Sequence, residues 1–172
     1  MELQIRKATA ADVAAIHGLV RELATFERAP EAHTATPEDY LRDGFRAERP
    51  WFEAFLAEPT TEGAAPVGVA FCTWQYSTWR GRTYYLEDFY VQPQFRSRGI
   101  GQRLFERVVQ RAGELGARRL AWQVLHWNTE AQRFYTERFG AAIETGWYNG
   151  RLEGEALQKA IHQLTNPPAP GR

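Results

Sequence analysis

The sequence predicts a mixed α/β fold: a central, mostly antiparallel twisted sheet with helices on both faces. Three observations lead there. Trp51–Glu58, Val67–Tyr76 and Arg82–Val91 are consecutive aromatic and β-branched runs separated by turn-forming residues. Apolar residues at helical spacing stand both before and after this block. The resulting order, β-α-α-β-β-β-α-β-α-β with a short closing helix, describes one sheet layered between helices.

Leu3–Arg6 reads as the first strand. Thr9 and Asp12 stand at capping-box spacing ahead of Val13, Ile16, Val20 and Leu23, which mark a first helix. Thr36-Pro37-Glu38 joins an N-cap, a first-turn proline and an acid, and opens a second. The central strands turn through Pro59–Pro66 and through Thr78-Trp79-Arg80-Gly81. Ile100, Leu104, Val108 and Leu115 define a third helix, which Gly116 ends. Arg118–Leu125 is a fifth strand, and Asn128 caps a fourth helix that Gly140 closes. A last strand over Gly146–Leu152 and a helix over Glu153–His162 complete the chain.

The 172 residues suit one domain over 1–165, with Asn166–Arg172 (NPPAPGR) as a disordered tail. No run of about 18 apolar residues occurs and the start lacks an export signal, so a soluble, cytoplasmic protein without membrane partners is expected. The lone Cys72 has no partner for an internal disulfide and reads as a buried thiol. His17, His33, His126 and His162 lack metal-ligand spacing, so no metal is expected. Net charge is zero, which gives no reason to expect nucleic acid as a partner. Yet seven Arg stand against two Glu between Arg96 and Arg119, as suits either a solvated helix face or a polyanionic ligand.

That cluster adjoins the most informative segment, Val91-Gln-Pro-Gln-Phe-Arg-Ser-Arg-Gly-Ile-Gly-Gln-Arg-Leu104. A strand ends at Val91, Pro93 breaks it, and Arg96-Ser97-Arg98-Gly99-Ile100-Gly101 runs into a helix. Glycines let successive N–H groups turn into one concavity, and the helix N-terminus adds roughly half a positive charge. Such a loop cradles phosphates. It is not a P-loop, because no Gly-Lys-Ser/Thr follows, and the three-glycine dinucleotide spacing fails.

Arg96-x-x-Gly99-x-Gly101 after strand and proline resembles the coenzyme A loop of the GNAT superfamily of acetyl-CoA-dependent N-acetyltransferases. The resemblance implies a sheet splayed at the coenzyme site. It also implies acetyl-CoA as co-substrate, with its phosphates on the segment Arg96, Ser97, Arg98, Gly99, Ile100, Gly101 and Gln102. The pantetheine arm would then pair with Phe89-Tyr90-Val91. A second constellation, Asn128-Thr129-Glu130-Ala131-Gln132-Arg133-Phe134-Tyr135, fits the same family. By itself Asn128 is an N-cap and Tyr135 a core aromatic two turns on. The resemblance adds coenzyme contacts for Asn128 and Ala131 and makes Tyr135 the acid that protonates the leaving thiolate.

Amine transfer also needs a base, because a primary amine is mostly protonated at neutral pH. Tyr84-Tyr85-Leu86-Glu87-Asp88-Phe89-Tyr90 puts two carboxylates on one aromatic strand, where only one faces the cleft unless a bulge intervenes. Glu87 is the candidate base or amine binder and Asp88 its support; a structural ion pair is the other reading. Trp79-x-Gly81-x4-Leu86-Glu87-Asp88-Phe89, Ile5-Arg6-x-Ala8-Thr9-x2-Asp12, Leu23-Ala24-x-Phe26-Glu27 and Asp43-Gly44-Phe45 resemble the diamine (spermidine/spermine) N-acetyltransferases, including their thialysine branch. This likeness runs from Ile5 to Lys159. It implies a homodimer and an amine site lined by Phe26, Glu27, Trp79, Glu87 and Asp88.

Ser77 and Thr145 stand where polyamine acetylation uses acids, which leaves a short diamine or a lysine-like amine as the acceptor beside polyamines. Two further readings stay open: acetylation of a protein lysine or N-terminus, and a non-catalytic acyl-CoA-binding or sensing module.

Overall fold

The computed structural model describes residues 2–165. The tail expected over 166–172 lies outside them. The described residues form two compact units, one ending at Leu125 and the other beginning at His126. The first holds a five-stranded sheet in the order β1-β2-β3-β4-β5: β1 (Leu3–Lys7), β2 (Phe52–Pro59), β3 (Gly68–Ser77), β4 (Gly81–Val91) and β5 (Arg119–Trp122). The first three pairings are antiparallel and the last, β4 with β5, is parallel. The mixed, mostly antiparallel sheet matches the expectation.

Three helices belong to this unit: α1 (Val13–Phe26), α2 (Pro37–Tyr40) and α3 (Ile100–Glu114). The Asp12 carboxylate accepts the Thr9 N–H ahead of α1 and also takes both terminal nitrogens of Arg6, at 2.8 and 2.7 Å. Thr36 and Asp39 cap α2 reciprocally. Beyond Tyr40 the chain widens into a π-type turn over Leu41–Arg46. Gly44 sits in it because a β-carbon there would be driven into the Phe52 ring.

Strand β2 is buried on both faces. Phe52, Ala54 and Leu56 pack with Ile16, Leu19, Val20 and Tyr40 on the α1–α2 side. Glu53 and Phe55 point the other way and meet Arg111 and Arg107 of α3. Helices therefore lie on opposite faces of the sheet, and alternation along one strand sorts the two cores.

A buried ionic cluster ties α3 down. Glu53 is 4% exposed and accepts from Arg111 Nε (2.8 Å), Lys7 Nζ (2.6 Å) and the Tyr84 hydroxyl (2.9 Å). Burial works to raise its pKa, but these three donors win and hold the carboxyl below its ordinary value. Cys72 is buried, as expected, and burial pushes its thiol up to about 12.

In the second unit α4 (Thr129–Phe139) and α5 (Gly154–Thr165) are helical, but no strand forms over Gly146–Leu152. Gly146 and the turn pair Asn149-Gly150 interrupt that stretch, and a strand needs a neighbour's ladder as well as a suitable sequence. The fifth strand is also shorter than expected, ending at Trp122 rather than Leu125. Among the described residues no helix is long and apolar enough to cross a membrane.

Candidate active site

The end of β5 coincides with an irregularity on β4. Phe71 pairs with Asp88 and its neighbour Cys72 pairs with Leu86, so Glu87 is an extra residue without a counterpart on β3. This is a β-bulge, which bends the strand that carries it. The parallel ladder to β5 ends at the adjacent pair, Leu86 with Trp122. Glu87–Val91 runs on with β3 alone for a ladder partner in the sheet, and β4 and β5 part there.

At the far end of that segment stands the loop. Pro93–Phe95 makes a 3-10 turn, Ser97 takes φ +57° and Gly99 φ +75°, and α3 starts at Ile100. Two left-handed residues within three positions curl the backbone ahead of the positive end of a fifteen-residue helix. A β-carbon on Gly101 would meet only the Phe89 ring, at ordinary contact distance, so the protein leaves this surface open. The Ile100 side chain is buried with Leu3, Ala57, Val67 and Val91 and fixes the helix start on the sheet. These features fit a pyrophosphate on the loop and an extended arm beside β4.

The arginines divide between two tasks. Arg96 donates from Nε to the Val91 carbonyl (2.8 Å), with its guanidinium over the rings of Phe26 (4.9 Å) and Tyr90 (5.5 Å). It holds the loop in shape. Arg98 lies over Phe95 at 5.9 Å. Arg103 donates to the Leu3 carbonyl, while Arg107 and Arg111 pair with Glu114 and, for Arg111, with Glu53. The positive charge along α3 thus serves packing.

Three carboxylates act on one another at the bulge itself. Glu27, exposed at the C-cap of α1, has its pKa raised by partial desolvation. Asp88 is half-buried and pushed up to about 7, by burial first and then by the charges of Glu87 and Glu27. Glu87 is exposed at the bulge. The structure therefore brings Glu27, Glu87 and Asp88 into one electrostatic group and sets Phe26 beside Arg96. Trp79 stands apart, 84% exposed at the tip of the β3–β4 hairpin. Ser77 accepts the N–H groups of Trp79 and Arg80 at that tip, so it keeps the turn without adding a charge.

The second unit carries the other expected residues. The Asn128 side chain accepts the Ala131 N–H at 3.2 Å, which makes it the cap of α4. Tyr135 is 5% exposed, stacked edge-on against Phe134, and burial raises its phenol. Sequence reasoning missed the meeting of Tyr40 with His33 and with Phe71, the cross-strand partner of Asp88, and it missed the Glu53 cluster. A helical tyrosine and an isolated histidine carry no local sign of such a meeting.

Comparison with known proteins agrees with this geometry. Residues 16–141 match the acetyltransferase (GNAT) family. Thialysine N-epsilon-acetyltransferase of Mus musculus is 37% identical over 164 residues, covering 91% of this chain and 95% of that protein. Spermidine/spermine N(1)-acetyltransferase-like protein 1 of Homo sapiens is 35% identical over 160 residues, 90% of this chain and 23% of that longer protein. The aminoglycoside N-acetyltransferase AAC(6')-Iy, solved in complex with CoA, superposes with a TM-score of 0.68 at 21% identity, over 87% of this chain and 95% of that one. Sheet, loop and sequence together place this chain in the acetyltransferase (GNAT) family, as an N-acetyltransferase.

Proposed function

We propose that this protein moves the acetyl group of acetyl-CoA onto the primary amine of a small molecule, either a short diamine or a lysine-like amine such as thialysine. The observation that carries the proposal is the bulge at Glu87, which sets carboxylates where the β4–β5 ladder ends, with the left-handed loop before α3 at the far end of that segment. Acetyl-CoA supplies the activated acyl group. The Arg96–Gln102 segment receives its phosphates and the Phe89–Val91 strand its pantetheine amides.

The acceptor arrives as a cation, and Glu27, Glu87 and Asp88 attract it. One carboxylate must then take a proton so that the nitrogen has a lone pair. Asp88 suits that task, because a pKa of about 7 lets it both accept and release a proton near neutrality. Glu87, exposed beside it, holds the ammonium. The amine nitrogen bonds to the thioester carbon, the C–S bond breaks, and the sulfur takes a proton. We assign that proton to Tyr135, whose raised pKa keeps the phenol protonated until the thiolate forms. Ser77, a neutral turn residue, favours acceptors shorter than a polyamine.

Thiol release with acetyl-CoA against thialysine, lysine, putrescine, spermidine, spermine and a lysine peptide tests this. Turnover on a short amine is expected. Tight acetyl-CoA binding without turnover on any amine would instead mark a sensing module, and preference for the peptide would mark a protein acetyltransferase.

A further inference from the structure

Tyr40 packs on Phe71, the cross-strand partner of Asp88, and its hydroxyl is not part of the chemistry above. It ends α2 with 8% exposure, its ring packed against Phe52 (5.8 Å) and Phe71 (5.6 Å). Phe71 is the cross-strand partner of Asp88. On the outer side the Tyr40 oxygen lies 3.2 Å from His33 Nε2, and the His33 ring lies 4.7 Å from that of His17. His17 Nε2 is 3.1 Å from the Ala35 carbonyl, which only accepts, so that nitrogen carries its hydrogen. Both histidines are half-buried, at the border with solvent. A line of exchangeable groups thus runs from the Tyr40 hydroxyl, beside the aromatic partner of Asp88, to the surface.

We infer that Tyr40 and His33, steadied by His17, form a proton exit that carries the proton taken from the acceptor amine out to solvent. The inference rests on the amine acetylation proposed above. Asp88 and the Tyr40 hydroxyl make no direct hydrogen bond, so the relay requires a solvent water between them. Protonated Asp88 gives its proton to that water, which passes one to the Tyr40 oxygen. Tyr40 O–H in turn donates its own proton to His33 Nε2. The imidazolium loses its Nδ1 proton to solvent and then returns to the Nδ1–H tautomer by exchange with water. One proton leaves the ammonium and one reaches bulk, with no other bond changed.

The surrounding charges suit this direction. Asp88 is faced by Glu87, Glu27 and Tyr40, and its charge is also felt at Cys72 and Tyr85. The Tyr40 phenol is raised to about 12, by burial first and then by Asp88, so it relays a proton without ionising. Burial, His17 and Arg21 hold His33 below its ordinary value, so it stands neutral and gives up a proton readily.

The test compares wild type, Tyr40→Phe and His33→Gln on the amine with fastest turnover. Tyr40→Phe removes one oxygen and keeps the ring in the core. Each variant should lose about tenfold in kcat with KM little changed, most at low pH, with a larger solvent isotope effect. Added imidazole should restore part of the rate of His33→Gln and none of that of Tyr40→Phe. Variants that match wild type in rate and pH profile would overturn the exit while leaving amine acetylation standing. A wild type that turns over no amine would remove the proposed function and the exit together.

Discussion

Glu87 and Asp88 are neighbours in sequence that a β-bulge assigns to different environments. Asp88 keeps its place in the ladder opposite Phe71, half-buried and raised to about 7; Glu87 is the extra residue and lies exposed. Two adjacent carboxylates on a regular strand would point to opposite faces and could not share a ligand.

Their kinetic signatures should differ accordingly. Asp88→Asn is expected to lower kcat/KM by about 10²- to 10⁴-fold near neutrality, with the deficit shrinking as free amine increases at high pH. Wild-type kcat/KM should rise with pH through about 7, because the base must lose its proton first. Glu87→Gln should keep that rise and show mainly a higher KM. If the rise disappears in Glu87→Gln and persists in Asp88→Asn, the two roles are exchanged.

The same aspartate should weaken the fold at neutral pH. Its folded pKa lies above the ordinary 3.8, so the folded state binds the proton more tightly and stability falls as pH rises from about 4 to about 7. Asp88→Asn should gain on the order of 1–3 kcal/mol above that window, after allowance for solvent screening, and nothing below it. Thermal melts of both proteins across that range decide it: a gain that persists at acid pH would contradict the sign.

Tyr135→Phe keeps the ring that packs on Phe134 and removes the hydroxyl. We expect turnover to fall by about 10²-fold or more with coenzyme affinity little changed. Single-turnover kinetics beside a calorimetric titration would show the split, and near-normal turnover would remove Tyr135 from the mechanism.

At Gly99, φ is +75°, and no other part of the protein crowds the position. Gly99→Ala should therefore cost about 1 kcal/mol through backbone strain alone. Because the strain falls within the loop, acetyl-CoA binding should weaken by about five- to tenfold. Unchanged affinity would separate the loop from phosphate binding.

Glu53 makes the buried ionic cluster an acid-sensitive element. Its carboxyl is held below the ordinary value, so its contribution is present above about pH 4.5 and is lost as pH falls through the lower folded pKa. Glu53→Ala would strand Arg111, Lys7 and the Tyr84 hydroxyl, at a cost of about 3–5 kcal/mol. Urea melts at neutral pH measure this, and a loss under about 1 kcal/mol would mean that water replaces the carboxylate.

Elements whose signals are local were legible in the sequence. The Thr36-Pro37 start of α2, the Asn128 cap, the Gly140 stop and the three central strands depend on residues within a few positions of each other. The turn before α3 was legible for the same reason, since a proline, glycines and a helix start are contiguous. The strand expected over 146–152 failed because pairing is not a local property. Likewise the end of β5 coincides with a bulge in another strand, with about thirty residues between them.

By itself, then, the sequence determined the layered α/β architecture, the glycine-bearing turn before α3 and the family to which the chain belongs. Periodicity, capping and turn chemistry act over one or two turns of chain and are written in adjacent residues. Tertiary structure alone decided which of two neighbouring carboxylates is held near pH 7, where the β4–β5 ladder ends, and that Tyr40 meets His33. Each of these depends on distances between side chains far apart in sequence. Burial and charge act through space, and only the folded chain sets those separations.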